Sequence, residues 1–139
     1  MRTPPAHVHP ALAGLGPLEL EVMRRDGEVQ RYGPPGYECW LPIGVAPSRA
    51  DRIACLGGLV RPGRVFTHET AAWLRAGGPA PARIRIARAS GRRPAVEAPL
   101  VEWAFRRLGP DDVELLDGAV AVTSAARTTA DLAAERRAG

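Results

Sequence analysis

A tight hairpin near the carboxyl end of the sequence constrains the fold more than any other feature. The short runs Val113–Leu116 and 119–122 flank the dipeptide Asp117-Gly118, which is typical of a two-residue turn between antiparallel strands. The segment that follows, 123–137, opens with hydroxyl side chains suited to a helix cap and continues as an alanine-rich stretch. We therefore expect a β-hairpin followed directly by a helix.

The first half of the sequence predicts two short helices and a β-ribbon. The segment 17–25 suits a helix with a cationic end, and the alternation in 28–32 and 37–43 predicts two paired strands. Ser48, with Asp51 three positions later, forms a capping-box pattern for a second helix of about three turns.

A third helix is expected over 68–76. Thr67 precedes it, and its hydroxyl is suited to cap the first turn. Glu69 would lie where a negative charge favours the helix dipole, and Trp73 on the face that meets the core. His68 lies in the first turn, where the dipole disfavours an imidazolium, so we expect a neutral, hydrogen-bonded structural histidine.

Two further strands are predicted between this helix and the hairpin. In 81–90, isoleucines alternate with arginines, which indicates a half-exposed strand with a basic outer edge. The segment 95–108 fits either strands broken at Pro99 or a helix that begins there, and the alternation over 101–106 favours a strand.

These elements predict one α+β protein, with a mixed, mostly antiparallel sheet, three or four short helices and a degenerate winged-helix-like N-terminal part. The expected organisation is a flexible arm over 1–16, a wing-like β-ribbon and helix over 17–60, and an α/β core over 61–139. A chain of 139 residues is long enough for one modest core.

The composition excludes several kinds of chemistry. The sequence contains no lysine, which rules out a lysine-bearing phosphate loop, a Schiff-base lysine and a lysine-dependent nuclease centre. The absence of both lysine and asparagine indicates a GC-rich bacterial genome, so part of the arginine excess behind the net charge of +4 is mutational bias. We predict that the protein is not an enzyme.

Neither a metal nor a cofactor is expected. Cys39 and Cys55 are the only cysteines and lack a histidine cluster beside them, so reduced thiols are expected. His7 and His9 lie in the proline-rich arm without acidic companions. No apolar run is long enough to span a membrane, and prolines interrupt any signal-peptide core, so a cytoplasmic protein is expected.

Arginine side chains give the only candidate contacts to nucleic acid. Guanidinium groups bind phosphate readily, but the interspersed carboxylates make a solvated strand edge an equally good explanation. The candidate residues are Arg24, Arg25, Arg31, Arg83, Arg85, Arg88, Arg92 and Arg93.

A further pair is expected on the last helix. Arg127 and Asp131 are four residues apart, so their side chains can meet. If the pair is exposed, it contributes a few tenths of a kcal/mol, whereas a partly buried pair would lock the helix onto the sheet.

The order of these segments resembles the bacterial AbiEi-type antitoxin and transcriptional-regulator family over roughly residues 60–134. The motifs that carry the resemblance are His68-Glu69-Thr70-Ala71-Ala72, the basic segment 83–93, the hairpin 109–122, and Thr123 with Arg127-Thr128 and Asp131-Leu132.

The resemblance implies a non-enzymatic antitoxin-like or regulatory core that binds a protein partner, such as a toxin. Family members usually carry a winged helix-turn-helix that reads operator DNA, and some relatives continue into a lysine-bearing endonuclease-like domain. Here only 18–42 corresponds to the last helix and wing, and the sequence ends after the closing helix. A repressor of double-stranded DNA is the first alternative, and a small hydrolase that uses His68 is the second.

Overall fold

The computed structural model describes residues 7–88, 100–104 and 107–138, and its fold is α+β as predicted. The helices are α1 (Pro17–Arg25), α2 (Arg49–Cys55), α3 (His68–Ala76) and α4 (Ala125–Ala138). The strands are β1 (Val29–Tyr32), β2 (Cys39–Pro42), β3 (Arg64–Phe66), β4 (Ile84–Arg88), β5 (Val101–Ala104), β6 (Val113–Leu116) and β7 (Val120–Thr123). Short 3₁₀ turns cover Pro10–Leu12, Gly57–Leu59 and Pro110–Asp112.

The described strands form a two-stranded ribbon and a five-stranded mixed sheet. β1 and β2 pair antiparallel, and the larger sheet has the order β5-β4-β3-β7-β6. Within it, β3 pairs antiparallel with β4 and β6 with β7, whereas the pairs β3–β7 and β4–β5 are parallel. The predicted mixed sheet is therefore confirmed.

The predicted hairpin is confirmed, including its turn. Asp117 has φ 51° and Gly118 has φ 68°, the left-handed backbone that a type I′ turn needs at both central positions. β6 and β7 then pair in register from Val113 opposite Thr123. In α4, the Ser124 hydroxyl accepts a hydrogen bond from the Arg127 backbone N–H at 3.2 Å, so Ser124 acts as the cap.

The ribbon and α2 also form as the sequence predicts. At the start of α2, Ser48 Oγ accepts from the Asp51 backbone N–H at 3.1 Å, and Asp51 Oδ2 accepts from the Ser48 backbone N–H at 2.9 Å. α2 ends at Cys55, earlier than the three turns expected, because the chain tightens there into the 3₁₀ turn Gly57–Leu59.

The described part of the predicted arm, 7–16, packs against the ribbon. The Trp40 N–H donates to the His7 carbonyl at 2.9 Å, and the His9 N–H donates to the Trp40 carbonyl at 3.0 Å, which adds a short parallel bridge beside β2. Leu12 is buried with Trp40 in a small cluster that also includes Leu20. These apolar contacts hold 7–16 in place where a loose arm was expected.

β4 differs most from its prediction. It lies between β3 and β5, so the basic outer edge predicted for 81–90 is wrong for this strand. The four residues 84–87 are all buried, Arg85 included, because other elements cover both faces of the strand.

One hydrophobic core joins the ribbon, α2 and the sheet. Its buried members are Cys39, Leu41, Cys55, Leu56, Leu59, Phe66, Ala71, Trp73, Leu74, Ile84, Ile86, Leu116, Val120 and Val122. They come from both sides of residue 60, the boundary expected between the wing-like part and the α/β core. The two ranges therefore share one core.

A chain of polar contacts ties α3 to the ribbon. The Trp73 indole N–H donates to the Tyr32 hydroxyl at 2.7 Å, and that hydroxyl donates to the Gly78 carbonyl at 2.7 Å. The expectation that Trp73 belongs to the core is confirmed, since it is 2% exposed.

Candidate functional site

Arg85, the central arginine of the predicted basic strand, is buried among carboxylates. Its guanidinium Nη1 lies 2.7 Å from Glu135 Oε1 and 3.6 Å from Glu69 Oε1, and its Nε lies 3.8 Å from Glu102 Oε1. Burial alone lowers the pKa of a guanidinium, but the Glu135 hydrogen bond and the surrounding negative charges outweigh it and raise the Arg85 pKa. With its charge matched inside the protein and only 9% of its surface exposed, Arg85 is poorly placed to contact a phosphate.

The other arginines of this segment have different surroundings. Arg83 is exposed and pairs with Glu102, with 2.9 Å between Nη1 and Oε2. Arg88 is partly buried at the end of β4, where it lies opposite Arg64 in the register with β3. Arg92 and Arg93 lie outside the described residues. Among the described arginines of this segment, Arg83 is exposed, Arg85 is buried and Arg88 is partly buried.

The N-terminal arginines lie on exposed positions of α1 and β1. Arg24 forms an ion pair with Glu21, which lies one turn earlier in α1, with 3.0 Å between Arg24 Nη2 and Glu21 Oε2. Arg25 is exposed beside it at the end of the helix. The Arg31 guanidinium lies over the Trp40 ring, 5.2 Å from its centroid, a cation–π contact that leaves the side chain exposed. These three residues remain candidate contacts for an anionic ligand.

His68 and Thr67 pair with each other at the start of α3. Thr67 is the N-cap residue, but its hydroxyl makes no capping hydrogen bond, so the predicted role of that hydroxyl is wrong. Instead, Thr67 Oγ1 lies 2.8 Å from His68 Nδ1, and both residues are buried. The prediction of a hydrogen-bonded structural histidine is confirmed in its contact and burial, while the charge of the ring stays a prediction.

The pair Arg127 and Asp131 is partly buried, the second of the two expected situations. Arg127 Nε lies 3.1 Å from Asp131 Oδ1, and Asp131 is 2% exposed. The adjoining Thr128 Oγ1 lies 2.6 Å from Thr123 Oγ1 at the end of β7. The Thr128–Thr123 contact fastens the first turn of α4 to the sheet, whereas the Arg127–Asp131 pair lies within the helix.

Both cysteines are reduced, as expected, and lie buried beside each other in the main core. The hydrogen bond with Cys39 and burial together raise the pKa of the Cys55 thiol. Its sulfur also lies 3.6 Å from the Tyr32 carbonyl oxygen. A thiol held protonated in this way is a poor nucleophile at neutral pH.

An open cleft near the start of β3 is a feature that the sequence reasoning missed. Its volume is about 320 Å³, and its lining consists of Val60, Arg61, Pro62, Gly63, Arg64, Phe66, Leu115, Ala119 and Ala121. Burial, with the nearby charges of Arg61 and Arg88, lowers the pKa of the Arg64 guanidinium. In the sequence, the turn Arg61-Pro62-Gly63-Arg64, with an arginine at each end, was the one sign of this cleft. The sequence could not show that this turn lies near the hairpin, because that depends on the parallel pairing of β3 with β7.

Side chains with the chemistry for a metal centre are scattered. Within 7–88, 100–104 and 107–138, no group of three or more histidine, cysteine or acidic side chains is close enough to hold a metal ion. None of the helices in those ranges is long and apolar enough to cross a membrane.

Comparisons with protein-family models, with curated proteins and with solved structures found no match to this chain.

Proposed function

We propose that this chain is a non-catalytic, antitoxin-like or regulatory protein of a bacterial toxin–antitoxin type system, and that it acts by binding a protein partner. The open cleft that contains Arg61 and Arg64 carries the proposal. Its lining includes two arginines and no acidic residue. Arg61 is exposed, and the partly buried Arg64 has its guanidinium over the Trp103 ring, a contact that leaves its charge without a carboxylate from the lining, so the cleft presents positive charge to an external anionic surface. The resemblance of residues 60–134 to the AbiEi-type family supports the same function.

The surroundings of the reactive side chains support a non-catalytic role. His68 is 1% exposed and its Nδ1 atom is engaged by Thr67, so substrate access to the imidazole is blocked. The neighbouring Glu69 is directed towards Arg85. This arrangement disfavours the alternative of a small hydrolase that uses His68. We assign the protein to the cytoplasm on the sequence grounds given above.

DNA-binding repression is the second candidate, and the exposed arginines of α1 and β1 favour it. Arg25 and Arg31 both face solvent on neighbouring elements of the N-terminal part. A helix end and a ribbon that carry such cations could follow a DNA backbone. Their number is small, so we rank this function below binding of a protein.

The test is affinity capture from the host cell, with and without nuclease, followed by expression of the captured partner. A protein partner should be retained after nuclease treatment, should slow growth when it is expressed alone and should be neutralised when it is co-expressed with this chain. Nuclease-sensitive capture of chromosomal DNA would favour the repressor instead. Capture of neither, or a partner whose effect on growth is unchanged by co-expression, would refute the antitoxin-like function.

A further inference from the structure

The open cleft lies between the turn that precedes β3 and the β6–β7 hairpin. Residues 60–64 form one wall, and Leu115, Ala119 and Ala121 of the hairpin form the other. The parallel pairing of Phe66 with Val122 holds the two walls at a fixed separation. The cleft is therefore built by the sheet itself and exists before any ligand binds, which lowers the entropic cost of binding.

The positive charge at one wall is not neutralised by the hairpin opposite. The described hydrogen bonds of Arg61 and Arg64 go to the backbone carbonyls of Val60 and Leu59, and the Arg64 guanidinium also lies over the Trp103 ring, 5.1 Å from its centroid. The acidic residues of the hairpin are directed elsewhere, since Glu114 pairs with Arg75 and Asp117 with Arg49. A carboxylate that enters the cleft would meet cations without a competing carboxylate from the lining.

Beside these cations, the cleft offers aliphatic surface. Leu115 is 64% exposed, and Ala119 is exposed next to it at the end of the turn. The one aromatic residue of the lining, Phe66, is 1% exposed and cannot serve as a platform for a nucleotide base. An aliphatic wall beside guanidinium groups favours a peptide over single-stranded nucleic acid.

We propose that the open cleft is a docking site for an extended acidic segment of the protein partner, in which a carboxylate side chain follows or precedes a large aliphatic one. The carboxylate binds between Arg61 and Arg64, and the aliphatic side chain covers Leu115. This proposal rests on the proposed function, because it names where and by what chemistry the protein partner would bind.

Direct binding of labelled peptides to the full chain, measured by fluorescence anisotropy, tests the site. The probe is a short peptide in which glutamate alternates with leucine, and its matched control has lysine in place of each glutamate. The wild-type protein should bind only the acidic peptide. The double substitution R61Q/R64Q should weaken that binding about tenfold or more, because it removes two charge-assisted contacts.

Matched variants separate the cleft from the overall charge of the protein. R136Q/R137Q removes two exposed cations at the end of α4 and should bind the acidic peptide as the wild type does. Leu115→Glu places a negative charge in the cleft at an exposed position and should abolish binding, whereas Val22→Glu on α1 should not. Because Leu115 faces solvent, this variant also tests the site if R61Q/R64Q fails to fold.

The possible results show separately whether the docking site and the antitoxin-like function are correct. No binding of the acidic peptide by the wild type, or equal losses in the cleft variants and their controls, would overturn the docking site. If R61Q/R64Q and Leu115→Glu still capture a partner as the wild type does, the docking site is wrong while the antitoxin-like function stands. If no partner is captured from cells but the acidic peptide binds as expected, the function fails and the docking site survives.

Discussion

Arg85 holds a permanent positive charge inside the protein, and this determines what its carboxylate neighbours can do. A buried ion loses the solvation of water, and it is tolerated only where partners replace that solvation. Glu69, Glu102 and Glu135 supply the partners, and each comes from a different element, α3, β5 or α4. The group therefore ties three elements to β4 through one side chain.

Substitution of Arg85 by alanine should destabilise the protein by about 2–3 kcal/mol in urea unfolding at neutral pH, because it removes the shared partner of three carboxylates. The loss should be smaller than for a fully buried ion pair, because the three carboxylates are nearly half exposed and solvent screens them. Arg83→Ala is the matched control, since Arg83 is exposed and pairs only with Glu102 among the described contacts. Its loss should stay below about 1 kcal/mol, and equal losses would contradict a special role for the buried arginine.

The ion pair between Arg85 and Glu135 also predicts how the stability difference between the wild type and Arg85→Ala depends on pH. The hydrogen bond from Arg85 lowers the pKa of Glu135 below its ordinary value. A carboxyl with a lower pKa in the folded state stabilises that state above its unfolded pKa, and this contribution is lost as pH falls through the folded pKa. The gap in unfolding free energy between wild type and Arg85→Ala should therefore narrow as the pH is lowered from 7 to below about 4. A gap that widens in acid would contradict the assignment.

His68 begins α3 with a backbone angle that a non-glycine residue rarely adopts, φ 54°. Such a conformation has an energetic cost, and neighbouring contacts must maintain it. Here the Thr67 hydroxyl bonds to the imidazole, and the Ala71 N–H donates to the Thr67 carbonyl at 3.2 Å. These contacts at the helix start account for the unusual backbone conformation of His68.

At the scale of single elements, the β6–β7 turn has the backbone conformation that its Asp117-Gly118 sequence favours. Gly118 has φ 68°, and a Cβ atom added there would meet nothing within 4 Å. The cost of any other residue at this position is therefore a backbone cost, with no steric contribution from neighbouring atoms.

Gly118→Ala should accordingly lower the free energy of unfolding by about 1 kcal/mol, measured by chemical denaturation. Gly58→Ala is the matched control, because a Cβ atom there also meets nothing within 4 Å while its φ lies outside the left-handed region. The control should be neutral or slightly stabilising, since alanine restricts the unfolded chain. A neutral result for Gly118→Ala would show that the turn tolerates another backbone geometry.

The sequence predicted best the features that depend on residues close to each other along the chain. The Asp117-Gly118 turn and the Ser48 capping box depend on residues within a few positions of each other, and both occur as predicted. The exposure of β4 depends on β5, a strand that pairs with it from more than ten residues away, so alternation alone could not reveal that Arg85 is buried. Likewise, the open cleft needs the pairing of Phe66 with Val122, which no local pattern encodes.

At the scale of the whole molecule, the ribbon and the five-stranded sheet share the main hydrophobic core. Trp73 in α3 and Cys39 in β2 belong to the same buried cluster, and the Tyr32 hydroxyl bridges the two parts. Separate unfolding of either part would expose core residues of the other. The described residues should therefore unfold as one cooperative unit.

Tryptophan variants can test this cooperativity, since the sequence has three tryptophans in different surroundings. A variant that keeps only Trp40 reports on the small cluster beside the ribbon, and one that keeps only Trp73 reports on the main core. In each variant, the fluorescence midpoint in urea should coincide with the midpoint from far-ultraviolet circular dichroism. An earlier fluorescence transition in the Trp40 variant would mean that the ribbon opens on its own.

The strand order also has a consequence for synthesis on the ribosome. β3 is central in the sheet, and one of its two neighbours, β7, is made only after β4, β5 and β6 have been translated. Until β7 emerges from the ribosome exit tunnel, one side of β3 has an open row of backbone hydrogen-bonding groups, the kind of edge that chaperones and other nascent chains can bind. The sheet can therefore close only after β6 and β7 have both been made, when their hairpin pairs with β3.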